Sequence, residues 1–232
     1  MQLRSLAMFT SMLVVLSGCG SGNDIPTDPL TKPIPPDAPA ADSPAHLIER
    51  MEQTWERKDE ASYALLLTSD FRYHFSPAAD PLLADLYGDN WTRIDEIAAI
   101  THLFHGFTNS NDIQVPAASR IDMTLSGVSV VSDPDHPDST IHYRKCVITS
   151  LSVTIAVPDP AGVSSVEYVI NARHELYLDR GDAGLVPPGA SADSTRWYVR
   201  RWDDMAANTA SKFPVINPSS TSTFGKLRAD FR

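Results

Sequence analysis

At 232 residues, with 42% hydrophobic and 21% charged side chains, the chain has the size and composition of one folded domain with appendages, which leaves little room for two domains. Its formal net charge of −10 argues against nucleic acid, which calls for basic patches, and against docking on anionic lipid.

Taken in order, the chain begins with Arg4 as a positive n-region and Leu6 to Leu16 as a short apolar run. That run is too short to span a bilayer, which takes roughly 20 apolar residues. The tetrapeptide Leu16-Ser17-Gly18-Cys19 resembles the lipobox of bacterial lipoproteins. The resemblance implies a signal peptide over 1–18 and acylation of Cys19 as the new N-terminus. It also implies a bacterial envelope location, facing the periplasm or the cell surface, with the lipid as membrane anchor. Cleavage removes Arg4, leaving 18 Lys+Arg against 29 Asp+Glu and a net charge of −11. With Cys19 acylated, Cys146 has no disulfide partner, and in a strand pattern it reads as a buried, inert thiol.

Residues 19–42 read as an extended tether, with Pro26, Pro29, Pro33, Pro35, Pro36 and Pro39 among small and acidic residues. The domain, 43–205, opens at Ser43-Pro44, an N-cap followed by proline. Leu47, Met51 and Trp55 form a helical stripe that breaks at Lys58-Asp59. Asp59 restarts the helix, and Tyr63 and Leu67 continue the stripe. Asp70 to Ser76 alternates as a strand. Ala78 to Trp91 reads as a loop. Thr92-Arg93-Ile94-Asp95 has the form of a capping box and opens a third helix over Arg93 to Phe107.

Beyond residue 120 the period becomes two. Strands are expected over Ile121 to Ser126, Ile141 to Val157 (with a bulge near Lys145 and Thr149), Val166 to Asp179, and Arg196 to Asp204. Prolines at 134, 137, 158 and 160 mark turns between antiparallel neighbours. The tail, 206–232, is expected to dock in part, because Phe213, Phe224 and Phe231 would otherwise be exposed.

Helices followed by long strands predict an α+β fold, with N-terminal helices packed on an antiparallel sheet. This order resembles the nuclear transport factor 2-like superfamily, which has a cystatin-like fold and includes ketosteroid isomerase and polyketide cyclases. Three stretches carry it: Trp55-Glu56-Arg57-Lys58-Asp59 with Leu65 to Phe75, the Trp91 to Phe107 helix, and Trp197 to Asp203 (WYVRRWD). The resemblance implies a strongly curved sheet forming a cone around an internal pocket, and homodimerisation through the outer sheet face.

On that frame the expected pocket residues are Trp55, Tyr73, Phe104, His174 and Trp197. If the domain is an enzyme, its proton-transfer candidates are Tyr73, His174 and Asp70. Such chemistry needs a carboxylate of raised pKa and a donor for the developing oxyanion, and no base aligns with the isomerase's. Each candidate also has a structural reading: a core phenol for Tyr73, a satisfied core histidine for His174, and a turn cap for Asp70.

No cofactor or metal is expected. His102 and His105 come with no nearby carboxylate or cysteine at ligand spacing and read as a solvated helix face. Asp133, Asp135 and Asp138 lack the glycine and terminal glutamate of a calcium loop and read as a surface turn. Arg173, Arg200 and Arg201 are expected to pair across strands with Glu167, Glu175 and Asp203. The favoured function is binding of a small apolar ligand or a protein partner without catalysis. The alternatives are a cyclase- or isomerase-like enzyme and a structural subunit of an envelope assembly.

Overall fold

Ser43 caps the first helix as its spacing predicts: its side chain accepts from the His46 amide, and Pro44 occupies the first turn of α1 (Pro44–Glu56). The computed structural model describes residues 39–78, 80–158, 165–205, 227–228 and 231–232. The expected signal sequence, Cys19, all but the last four residues of the expected tether, and Phe213 and Phe224 lie outside the described residues. α1 buries Leu47, Ile48, Met51, Thr54 and Trp55. Lys58 turns the chain at a φ of 54°, and Asp59 caps α2 (Glu60–Ala64) through the Ser62 amide.

β1 (Leu67–His74) follows directly. The stretch read as a loop contains a helix, α3 (Pro81–Tyr87), ending in a single 3-10 turn over Gly88–Asn90. Asp80-Pro81 was its start signal, an Asp before a first-turn proline, although Asp80 makes no side-chain cap bond. β2 (Trp91–Thr92) leads into α4 (Arg93–His105), whose capping box is complete: Thr92 caps Asp95, and Asp95 accepts from the Thr92 amide at 3.0 Å.

α4 ends two residues before the expected Phe107. Gly106 has a φ of 75°, and a Cβ there would lie 2.7 Å from the Val115 carbonyl oxygen, so this close turn requires glycine. It feeds a small hairpin, β3 (Phe107–Thr108) with β4 (Gln114–Val115). Four long strands complete the domain: β5 (Arg120–Ser132), β6 (Tyr143–Pro158), β7 (Ser165–Gly181) and β8 (Asp193–Met205).

The result is a mixed α+β fold with a six-stranded sheet in the order β2-β1-β8-β7-β6-β5. The long strands pair antiparallel as expected, with a register irregularity between Ile148 and Leu151 close to the predicted bulge. One pairing departs from the antiparallel expectation. β1 runs parallel to β8, with Tyr73 beside Trp202. Every connection between β1 and β8 lies in between, so the first strand can join the last as a non-local neighbour without a hairpin.

A bulge on β8 sets both faces of the sheet. Tyr177 pairs with Arg201 and Leu178 with Val199, so Arg200 is the extra residue. Val199 and Trp202 are both fully buried under the helices. Arg200 and Arg201 both meet charged groups on the opposite face. Arg200 bonds Asp179 at 3.0 Å and Asp133 at 2.8 Å, and the Arg201 guanidinium lies 3.5 Å from the Tyr177 ring centroid.

That face corrects two expectations. Asp133 is not a surface turn residue: it is fully buried, accepting from Arg200, the Asp135 amide and the His136 ring. Arg200 therefore takes Asp179 and Asp133 as partners and not the predicted strand acids. Arg201 does reach Asp203, at 3.2 Å.

Candidate functional site

Between the helices and the sheet lies a polar cluster centred on Glu96. Glu96 follows the capping box in the first turn of α4 and is fully buried. A helix N-terminus favours a carboxylate at that place. Four donors meet its two oxygens. The Tyr63 hydroxyl donates to Oε1 at 2.7 Å, and the Trp91 indole donates to Oε2 at 3.0 Å. Arg228 supplies the other two, through Nη2 at 2.9 Å and Nε at 2.6 Å. A carboxylate offers about four acceptor positions, so this one is filled.

Arg228 belongs to the C-terminal tail and is only 1% exposed. Its guanidinium carbon lies 4.3 Å from the Tyr73 ring centroid, 4.5 Å from Trp202 and 5.8 Å from Trp55, all within cation–π range. Burial works against the charge, but Glu96 outweighs it, and the guanidinium pKa lies above the ordinary arginine value. The rest of the tail end closes the edge of the site. Leu227 and Phe231 are buried, and His102 Nδ1–H donates to the Phe231 carbonyl at 2.7 Å. Arg232 reaches Asp95 at 2.7 Å.

Tyr73 and His174 come together here, as neighbours of Trp202. Trp202 lies 6.2 Å from Tyr73 and 5.6 Å from His174 by ring centroids. The Trp202 indole donates to His174 Nδ1 at 3.0 Å. Because an indole only donates, Nδ1 is the accepting nitrogen and the ring proton sits on Nε2. Burial, reinforced by Arg228, lowers the His174 pKa to about 3, so this imidazole is neutral at ordinary pH. Burial, and next the Asp204 charge, raises Tyr73 well above its usual value, and the phenol stays protonated.

Asp70 is not with them. Its β1 neighbour Phe71 and then Tyr73 are buried, whereas Asp70 is half-buried and its charge acts on Asp179, on the face carrying Arg200. Trp55 and Phe104 pack edge-to-face at 6.0 Å, and Trp197 sits at the core margin, where its amide donates to the Ala41 carbonyl. All five expected pocket residues are 9% exposed or less. A cleft of about 380 Å³ lies elsewhere, lined by Ala41, Arg50, Leu66, Arg196 and Tyr198 among others.

The two helix histidines are separately engaged: His102 by Phe231, and His105 by Glu60 at 3.2 Å. Cys146 is buried, and burial pushes its thiol up to about 12, which makes it inert.

Sequence reasoning missed Glu96, Trp91 and Arg228. Glu96 looks like an ordinary first-turn acid, and its partner lies 132 positions away. The one local signal was a tryptophan five residues ahead of it.

No family model matches the chain, and no curated protein matches it. Solved structures do resemble it. A proposed scytalone dehydratase from Novosphingobium aromaticivorans is 6% identical with a TM-score of 0.44, covering 70% of this chain and 81% of its own. A nuclear transport factor 2-like protein of unknown function in nutrient uptake from Rhodospirillum rubrum is 13% identical with a TM-score of 0.39, covering 70% and 96%. A nuclear transport factor 2-like protein with a cystatin-like fold, also from N. aromaticivorans, is 10% identical with a TM-score of 0.40, covering 71% and 80%. Whatever activities these proteins have remain theirs.

Proposed function

We propose that the chain is a lipid-anchored protein of the bacterial envelope whose single nuclear transport factor 2-like domain works by binding and not by turnover. The lipobox-like Leu16 to Cys19 and the proline-rich stretch behind it support the anchor. The order of helices and strands supports the superfamily reading, in which the sheet curls around an interior as a cone. One observation carries the preference for binding: the interior acid Glu96 already accepts from Tyr63, Trp91 and Arg228. A general base has to be left facing its substrate. The nearby imidazole is likewise engaged and neutral.

The rival reading, a proton-transfer enzyme, rests on Tyr73 and His174 meeting Trp202 in one interior. Self-association belongs to the same proposal. It has to contend with an outer face whose charges, Arg200 with Asp133 and Asp179, already satisfy one another.

Two assays on the full chain test this. An alkyne-tagged fatty acid should label the wild type and not Cys19→Ala. A β,γ-unsaturated ketosteroid should not be turned over above background. Turnover that Tyr73→Phe and His174→Ala both abolish would replace binding with catalysis, and labelling that persists without Cys19 would remove the anchor.

A further inference from the structure

The hydrogen-bonding and aromatic groups described around the Arg228 guanidinium all come from the domain, and the tail supplies the occupant and part of the rim. Trp55 stands on α1, Tyr63 on α2, Tyr73 on β1, Trp91 on β2, Glu96 on α4 and Trp202 on β8. Together they present two hydrogen-bond-accepting oxygens to a planar cation and aromatic faces around it. Carboxylate forks and aromatic faces are what a guanidinium fits best, because it donates in a flat, bidentate pattern and stacks. We propose that the interior of this domain is a receptor site for a small alkylguanidinium ligand, occupied in cis by the Arg228 side chain.

The chemistry of the site restricts what can replace Arg228. If a neutral ligand displaced it, the Glu96 carboxylate would remain buried without a countercharge, a strongly unfavourable state. Tyr63 and Trp91 would still donate to it, but neither carries charge. An apolar ligand, the expectation from sequence, therefore does not fit while Glu96 is ionised. A simple ammonium ion could neutralise the acid but could not fork across both oxygens. Exchange should be one guanidinium for another, so that the tail competes with ligand for the same contacts. Phe231 and Arg232, held by His102 and Asp95 at the edge of the site, would be released with it.

This inference rests on reading the domain as a binding module, and its test is separate from the turnover assay. In the full chain carrying Arg228→Ala, ethylguanidinium is the piece of side chain that alanine lacks. At about ten times its dissociation constant it should raise the Tm of this variant by roughly 3–6 °C. It should leave the wild type, whose site is filled, unshifted. Ethylammonium at the same concentration should do markedly less. Adding Glu96→Gln to Arg228→Ala should remove the ethylguanidinium effect. If Arg228→Ala does not fold alone, the same ligand should restore its folded yield on refolding, again only with Glu96 present. No change in Tm or yield, or an equal change in the Glu96→Gln double variant, would overturn the receptor site. Either of those results would leave the absence of ketosteroid turnover, and with it the binding reading, standing on its own.

Discussion

Glu96 and Arg228 are joined by two hydrogen bonds of 2.6 and 2.9 Å across 132 positions of sequence, and both side chains are all but sealed from solvent. The pair ties the last residues of the chain to the first turn of α4. Breaking a buried ion pair by removing one member typically costs about 3–5 kcal/mol, because it strands the other charge. Glu96→Gln and Arg228→Met should each lose stability of that order in urea unfolding. The double variant Glu96→Gln/Arg228→Met, which buries no charge, should lose much less than the sum.

Trp91→Phe removes one donor to the same carboxylate while keeping an aromatic ring against Phe75 and Tyr87. A hydrogen bond to a charged group contributes about 1.5–3 kcal/mol, and a loss in that range is expected at the urea midpoint. In a Glu96→Gln background the same substitution should cost less, because the acceptor is no longer charged.

Two buried groups give the pH dependence opposite signs. His174 has a folded pKa lowered to about 3, so the unfolded chain binds its proton first as pH falls. Its contribution is complete above about 6.5 and is lost on acidification toward 3. Asp179 is raised to about 6, chiefly by burial against the pull of Arg200. There the folded state holds the proton more tightly, and stability falls as pH rises from about 4 to 6. The two nearly cancel between about pH 4 and 6, so His174→Gln should expose a decline there, and Asp179→Asn should leave stability rising from about pH 3 to 6.5. Chemical denaturation at half-unit pH steps reads both.

Gly127 sits in β5 at a φ of 61°, and a Cβ there would fall 1.9 Å from Thr149 Oγ1. Gly127→Ala should cost about 1–3 kcal/mol from backbone strain and crowding. Gly127→Ala/Thr149→Ala should recover the crowding and keep the strain. Thermal unfolding of the three proteins separates the two.

Much of the fold could be read locally. Ser43-Pro44, the Lys58-Asp59 break and the Thr92 to Asp95 box are short-range signals whose chemistry is complete within four residues, and each marks a real helix boundary. The β5 to β8 alternation works for the same reason. The parallel β1–β8 pairing and the bulge at Arg200 depend on partners more than a hundred positions away in one case and on sheet geometry in the other. The site was legible only in part. Tyr73 and His174 stand out as polar residues on apolar strands, and both are interior. Asp70 looked equivalent, yet strand alternation puts it on the other face. Glu96 and Arg228 each resemble a solvated charge in their own neighbourhood, and only the fold makes them a pair.

The most direct measurement is an ¹⁵N-resolved proton NMR spectrum of the arginine Nε–H groups in the full chain, recorded as pH is raised. A buried Arg228 donating Nε–H to Glu96 predicts an arginine Nε–H signal that stays sharp at alkaline pH, where those of exposed arginines broaden by exchange. That signal should vanish in Arg228→Lys and exchange rapidly in Glu96→Gln. If every arginine Nε–H exchanges at solvent rates, or Arg228→Lys removes none of the protected signals, then Arg228 does not occupy the interior.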